Sequence, residues 1–260
     1  MKAIITGAAS GIGRAVAGKL AAGSPGSKLL VTDRSGNGLE TLIHDLADRD
    51  VEIEPFVADI TRPEDCVAIV ERMEARFGGV DAIVSNAGGV RGGLLKELAI
   101  DAFDYSFALN TRPTWLLAKA AYPMLCASRG SIVATASTAA EYPTSPLGTY
   151  GASKAALVML VKQMAAEWGR DGIRCNIVSP GPTVTGITQP VYADPEARRT
   201  RVAHIPLGRL GEADDIAEAI LFLIDRRASH ITGVNLTVDG GMIVDVMRPI
   251  GAGTGNLRNE

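Results

Sequence analysis

The sequence predicts an α/β protein: a doubly wound parallel sheet of about seven strands with helices on both faces. Three observations lead there. Short apolar runs alternate with amphipathic segments along most of the 260 residues. The apolar runs are rich in Val and Ile and are continuous more than alternating, as strands buried on both faces are. A glycine-rich turn follows the first run and opens the first amphipathic segment, so a strand feeds directly into a helix.

Seven runs qualify as strands: 2–6 (KAIIT), 28–33 (KLLVTD), 53–58, 81–85 (DAIVS), 130–136 (GSIVATA), 173–178 (IRCNIV) and 234–238 (VNLTV). Helical patterns lie between them at 11–22, 38–48, 64–77, 101–126, 150–170 and 212–224. No linker-like stretch and no internal repeat interrupts the chain, so a single domain is expected over 1–246. The segment 180–208 lacks a clear period and holds Pro180, Pro182, Pro190, Pro195 and Pro206. An excursion of that length inside a compact domain reads as a lid, placed at about 185–206. The glycine-rich stretch 247–260 reads as a C-terminal tail, either disordered or docked on a neighbour.

Composition narrows the function. Apolar residues make up 47 % and charged residues 21 %, with a formal net charge of −3, and no basic run stands out. A nucleic-acid partner is therefore not expected. Arg198, Arg199 and Arg201 form only a short cluster, read as a solvated face. No stretch reaches 18 apolar residues, so no membrane span is expected, and the N-terminus lacks the long apolar run of a secretory signal. Cys66, Cys126 and Cys175 are odd in number and far apart, as are His44, His204 and His230. Neither a disulfide framework nor a metal site is expected, and a reducing, cytoplasmic setting is.

Two groups of residues carry chemistry. In the turn Thr6-Gly7-Ala8-Ala9-Ser10-Gly11-Ile12-Gly13, Gly7 permits a tight turn. Gly11 lets a pyrophosphate approach the backbone, and Gly13 lets helix and sheet pack closely. The helix N-terminus offers unpaired N–H groups to the phosphates. Such a triplet alone could be a flexible turn, but Asp33 ends the second strand about twenty residues beyond Gly13. A carboxylate there accepts hydrogen bonds from ribose hydroxyls and repels a 2′-phosphate, which favours NAD over NADP. Arg34 argues the other way, because a guanidinium suits that phosphate.

The second group starts with Tyr150 and Lys154, which share a helix face. A nearby ammonium favours the phenolate and is expected to bring the tyrosine toward general acid–base use near neutral pH. In isolation the pair could be an ordinary surface one. Ser137 follows the strand 130–136, at the sheet edge where open α/β sheets bind ligands, and could donate to a carbonyl oxygen as charge develops. Asn110 falls inside the 101–126 pattern, where asparagine is a poor helix former. It could hold a water that contacts Lys154, or mark a kink.

From Met1 to about Gly241 the chain resembles a classical short-chain dehydrogenase/reductase. The family's glycine motif stands as TGAASGIG at 6–13, its strand-four motif as Ser85-Asn86-Ala87-Gly88, and its active-site motif as Tyr150-Gly151-Ala152-Ser153-Lys154. The resemblance implies a Rossmann fold and hydride transfer between a nicotinamide cofactor and a secondary alcohol or ketone. It makes Asn110, Ser137, Tyr150 and Lys154 the catalytic residues, with Lys154 also binding the nicotinamide ribose. It implies cofactor contacts from Gly7, Ser10, Gly11, Ile12, Gly13, Asp33, Arg34, Asn86, Ala87 and Gly88, and from Pro180, Gly181, Thr183 and Thr185. Asp59 falls where the family contacts the adenine, and Ile60 is assigned with it. Substrate contacts are expected from Ser137, Thr138, Tyr142, Pro143, Tyr150, Pro182 and the 185–206 lid, and the assembly is expected to be a homotetramer or homodimer. Ser85 departs from the usual asparagine, and Thr183 from the usual aliphatic residue.

Other readings of the same residues are an NADP-dependent carbonyl reductase, in which Arg34 prevails, and a non-catalytic dinucleotide sensor. A lyase or epimerase of the extended relatives would need a longer chain and a different glycine spacing.

Overall fold

The computed structural model describes residues 1–186 and 188–245. The domain end at 246 and the tail at 247–260 lie outside the described residues. Along the chain run β1 (Lys2–Thr6), α1 (Gly11–Gly23), β2 (Ser27–Asp33), α2 (Gly36–Asp45), β3 (Val51–Val57), α3 (Pro63–Phe77) and β4 (Ala82–Ser85). Then come α4 (Ile100–Asn110), α5 (Arg112–Ala120), α6 (Tyr122–Ser128), β5 (Ser131–Thr135), α7 (Tyr150–Trp168), β6 (Arg174–Pro180) and β7 (Thr183–Val184). The chain continues through α8 (Gln189–Tyr192), α9 (Pro195–Val202), β8 (Gly211–Glu212), α10 (Ala213–Ile224) and β9 (Asn235–Val238).

Seven strands form one parallel sheet in the order β3-β2-β1-β4-β5-β6-β9. The continuous apolar runs have a simple cause. In β1, Ile4 enters the core on one face, and Ala3 and Ile5 enter the core on the other. All three are fully buried, and each isoleucine contributes on the order of 2 kcal/mol by leaving water. The α3 to α7 side covers the first face; α1, α2 and α10 cover the second.

Helix ends follow local chemistry. Pro63 starts α3 and Gly78 closes it in the left-handed conformation, φ 68°. Glu212 and Asp215 form a reciprocal capping box on α10. By contrast, α1 has no side-chain cap and no acidic residue in its first turn, so its leading N–H groups stay open to an anion.

One expected element differs. The 101–126 pattern is three helices, because Pro113 and Pro123 lack an N–H and crowd the preceding turn. Asn110 is accordingly the last residue of α4, not a mid-helix residue. The aperiodic 185–206 segment contains α8 and α9, and its flanks are tied together by a two-stranded parallel ribbon pairing Thr183 with Gly211 and Val184 with Glu212.

Candidate active site

Strand order reverses between β1 and β4, whose crossovers lie on opposite sides of the sheet. The ends of these strands open a crevice there, the usual ligand position in such sheets. A cavity of about 700 Å³ fills it, running from Asp33 and Arg34 past Ser10, Gly11 and Ile12 to Ser137, Tyr150 and Lys154.

The glycine turn is shaped for a close-approaching ligand. Gly7 and Gly11 have φ of 68° and 53°, a region favouring glycine. A Cβ on Gly13 would collide with the Gly7 carbonyl, so Gly13 packs the turn and does not line the cavity. Asn86 fixes the turn from across the sheet: its amide donates to the Thr6 carbonyl at 3.2 Å and accepts from the Thr135 hydroxyl at 3.2 Å. Ser85, in place of the family's asparagine, hydrogen-bonds Thr114 at 2.7 Å and ties β4 to α5.

At the adenosine end, Asp33 accepts from the N–H of Ala9 at 3.2 Å and of Ser35 at 3.0 Å. Thr32 lines the same end, and its buried hydroxyl has no partner within the protein, the signature of a polar ligand's place. These features, the open α1 N-terminus and the glycine cradle fit a dinucleotide. Arg34 also faces the cavity, with its Nη1 3.4 Å from the Tyr105 hydroxyl, and Arg91 stacks on that ring at 3.7 Å.

At the other end the four expected catalytic residues converge. Ser137 accepts the Ala139 N–H at 3.1 Å and hydrogen-bonds the Tyr150 phenol. Lys154, 3 % exposed, donates to the Thr135 carbonyl at 2.7 Å. The amide of Asn110 clamps Gly89, accepting its N–H and donating to its carbonyl, both at 3.0 Å, and also donates to Ser153 at 3.2 Å. Its amide groups are thus spent on the chain itself. Gly88 sits where a Cβ would press on Asn110 Oδ1 and Lys154 Nζ, so only glycine lets the three approach.

The electrostatics differ from the expectation of a phenol lowered by its lysine. Burial pushes the Tyr150 phenol up, and the Ser137 hydrogen bond is what opposes it. Burial also pulls Lys154 down to about 8. The Lys154 ammonium lies 5.9 Å from the Tyr150 ring centroid.

Most of the expected contacts line the cavity: Gly7, Ser10, Gly11, Ile12, Asp33, Arg34, Ile60, Asn86, Ala87, Gly88, Pro180, Gly181, Pro182, Thr183, Thr185 and Thr138 among them. Three do not. Asp59 turns its carboxylate onto the N–H and hydroxyl of Thr61, at 3.0 and 2.8 Å, closing the loop before α3. Tyr142 is 41 % exposed, and neither it nor Pro143 reaches the cavity, because the chain swings outward after the 3₁₀ turn Thr138–Ala140. Their place on the wall is taken by Thr144, Ser145, Pro146 and Leu147. Thr188, Tyr192 and Arg201 of the expected lid also line it, though no pattern singled them out within it, and Met242, outside the lid, lines it as well. Thr188 braces the loop, donating to the Thr183 carbonyl at 2.6 Å and accepting the Thr185 N–H at 2.9 Å.

A doubly wound sheet with an uncapped glycine turn and a Ser–Tyr–Lys cluster at its switch point defines a dinucleotide-dependent oxidoreductase class. A family model described as enoyl-(acyl carrier protein) reductase matches residues 7–243. The chain is similar to 2,3-dihydro-2,3-dihydroxybenzoate dehydrogenase of Bacillus subtilis, 36 % identical over 94 % of this chain and 96 % of that one. It is 34 % identical to D-threitol dehydrogenase of Mycolicibacterium smegmatis, over 93 % and 92 %. A solved short-chain type dehydrogenase/reductase from Mycobacterium ulcerans superposes with a TM-score of 0.87 at 28 % identity, over 93 % and 89 %. The chain belongs to the classical short-chain dehydrogenase/reductase family. It is an oxidoreductase acting on alcohols or ketones with a nicotinamide dinucleotide. Among the described residues no helix is long and apolar enough to cross a membrane.

Proposed function

We propose that the protein prefers NAD(H) and interconverts a secondary alcohol and its ketone, with Tyr150 transferring the proton. The observation that carries this reading is one continuous cavity with Asp33 at one end and the Ser137–Tyr150–Lys154 cluster at the other. Asp33 would accept the ribose hydroxyls and repel a 2′-phosphate. Ser10, Gly11 and Ile12, at the start of α1, would hold the pyrophosphate, and Thr185 and Thr183 the nicotinamide side. When bound, NAD(H) accepts or supplies the hydride.

The chain's own residues handle the proton. In oxidation, the substrate hydroxyl releases its proton to Tyr150 Oη as the carbon gives up its hydride. In reduction, Tyr150 delivers a proton to the forming alkoxide. Ser137 donates to the substrate oxygen while its own oxygen is fixed by the Ala139 N–H, so little reorganisation is needed. The Ser137 hydrogen bond opposes the rise that burial gives the phenol, and Lys154 holds α7 to the Thr135 carbonyl so that Tyr150 and Ser137 stay in register. Asn110 positions the site through Gly89. The 185–206 segment, with α8 and α9, is a lid that excludes water. Assembly into a homotetramer or homodimer is supported by exposed Phe103, Trp115 and Met159 on α4, α5 and α7, and a cytoplasmic setting by three free cysteines.

A second reading has one observation in its favour. Arg34 and Arg91 flank Tyr105 beside the adenosine end, and two guanidinium groups would suit a 2′-phosphate. Fluorescence titration with NADH and NADPH separates the two, followed by a panel of secondary alcohols and ketones. Tighter NADH binding with turnover supports the proposal. Tighter NADPH binding means that the arginines outweigh Asp33, and tight binding without any turnover favours a sensor.

A further inference from the structure

We infer that the substrate carries an anionic group, a carboxylate in the simplest case, and that Arg201 receives it. The inference rests on the oxidoreductase reading above. Among the described residues three cationic side chains line the cavity: Arg34, Lys154 and Arg201. Arg34 belongs to the adenosine end, beside Asp33. Lys154 is buried and held by the Thr135 carbonyl. Arg201 alone is left to face the substrate end. It comes from α9, within electrostatic reach of Tyr192 on α8, and both line the cavity with Met242.

Among the described residues Arg201 has no built-in counter-charge: no carboxylate lies within ion-pair distance of it, and Glu196 of the same helix is taken by Arg199 at 2.5 Å. Among the described residues the one acidic residue lining the cavity is Asp33, at the far end. The wall at the substrate end is otherwise uncharged, with Thr138, Thr144 and Ser145 beside Pro146, Leu147, Pro182 and Met242. A guanidinium facing such a wall is better satisfied by an entering anion than by the protein, and its planar fork matches a carboxylate's two oxygens.

The cofactor pyrophosphate is the competing partner, and the geometry places that group elsewhere. Gly11 approaches Thr185, where an added Cβ would lie at 3.3 Å, and Gly186 approaches Ser10. The loop 185–186 thus already covers the phosphate turn, whereas Arg201 stands with Tyr192.

The test is calorimetric titration of the protein–NADH complex with cyclohexanecarboxylate and with its uncharged methyl ester, in wild type, Arg201→Gln and Arg201→Lys. The acid is expected to bind about tenfold or more tightly than the ester, a charge-assisted contact's worth. Added salt is expected to narrow that preference, Arg201→Gln to abolish it and Arg201→Lys to keep part of it. Acid binding that is undetectable or no tighter than the ester overturns the inference, as does an undiminished preference in Arg201→Gln. Loss of NADH affinity in Arg201→Gln also overturns it, by assigning Arg201 to the cofactor. In all these cases wild-type NADH binding stands and the oxidoreductase reading survives. Failure of wild type to bind either NADH or NADPH removes that reading together with the inference.

Discussion

Lys154 Nζ donates a 2.7 Å hydrogen bond to the carbonyl of Thr135. This ties α7, which carries Tyr150, to the end of β5, two residues before Ser137. Tyr150 and Ser137 are therefore held in register through a buried lysine, and that lysine bears a cost.

The cost makes a pH prediction. Lys154 falls to about 8 in the folded protein from an ordinary 10.5, so its burial opposes folding by about 3 kcal/mol below pH 8. Between pH 8 and 10.5 the folded state has released the proton and the unfolded state still holds it. Stability from this group therefore rises with pH and the penalty is gone above 10.5. Lys154→Met removes the penalty but strips Thr135 of its donor, at about 1–3 kcal/mol. Urea denaturation is expected to show the variant faring better relative to wild type at pH 7 than at pH 10, by about 2–3 kcal/mol. An equal difference at the two pH values would refute the buried-charge account. Turnover is expected to fall sharply at both.

Asp33→Ala tests the cofactor assignment. Removing the carboxylate is expected to weaken NADH binding about tenfold and to strengthen NADPH binding relative to NADH. Paired fluorescence titrations measure both. An unchanged preference would mean that Asp33 does not face the ribose.

Gly13→Ala tests the turn. The added Cβ meets the backbone carbonyl of Gly7 and the Asn86 amide at 2.8 Å, so the turn has to open. A loss of about 1–3 kcal/mol in stability is expected, together with weaker NADH binding. Gly18, whose Cβ would meet nothing within 4 Å, is the control, and Gly18→Ala is expected to bind NADH as wild type does. Thermal melts and titrations on the two variants decide the matter.

The parts of the site legible in the sequence are those encoded locally. The glycine turn, Asp33 at a strand end and the Tyr150–Lys154 spacing each follow from the geometry of one strand or one helix turn. Asn110 ends α4 and does not lie mid-helix, and its clamp on Gly89 was not legible because that partner lies 21 residues away in sequence. Tyr142 follows Ser137 closely in sequence, yet sequence distance fixes no direction once a 3₁₀ turn intervenes. Arg201 and Tyr192 were legible only as part of the expected lid, since α8 and α9 are too short for a hydrophobic period and Arg201 sits among arginines that resemble a solvated face. Pro113 and Pro123 were readable as helix breaks, and a continuous apolar pattern masked them.

The most direct test of the central claim is Tyr150→Phe, read in two channels on the same protein. Cofactor binding is followed by NADH fluorescence, and turnover of a secondary alcohol accepted by wild type by NADH absorbance. Removing the hydroxyl leaves the ring and the buried lysine in place. The account predicts turnover lowered by about 10²–10⁴-fold, with NADH affinity nearly that of wild type. Turnover at the wild-type level would contradict it and take the proton transfer away from Tyr150.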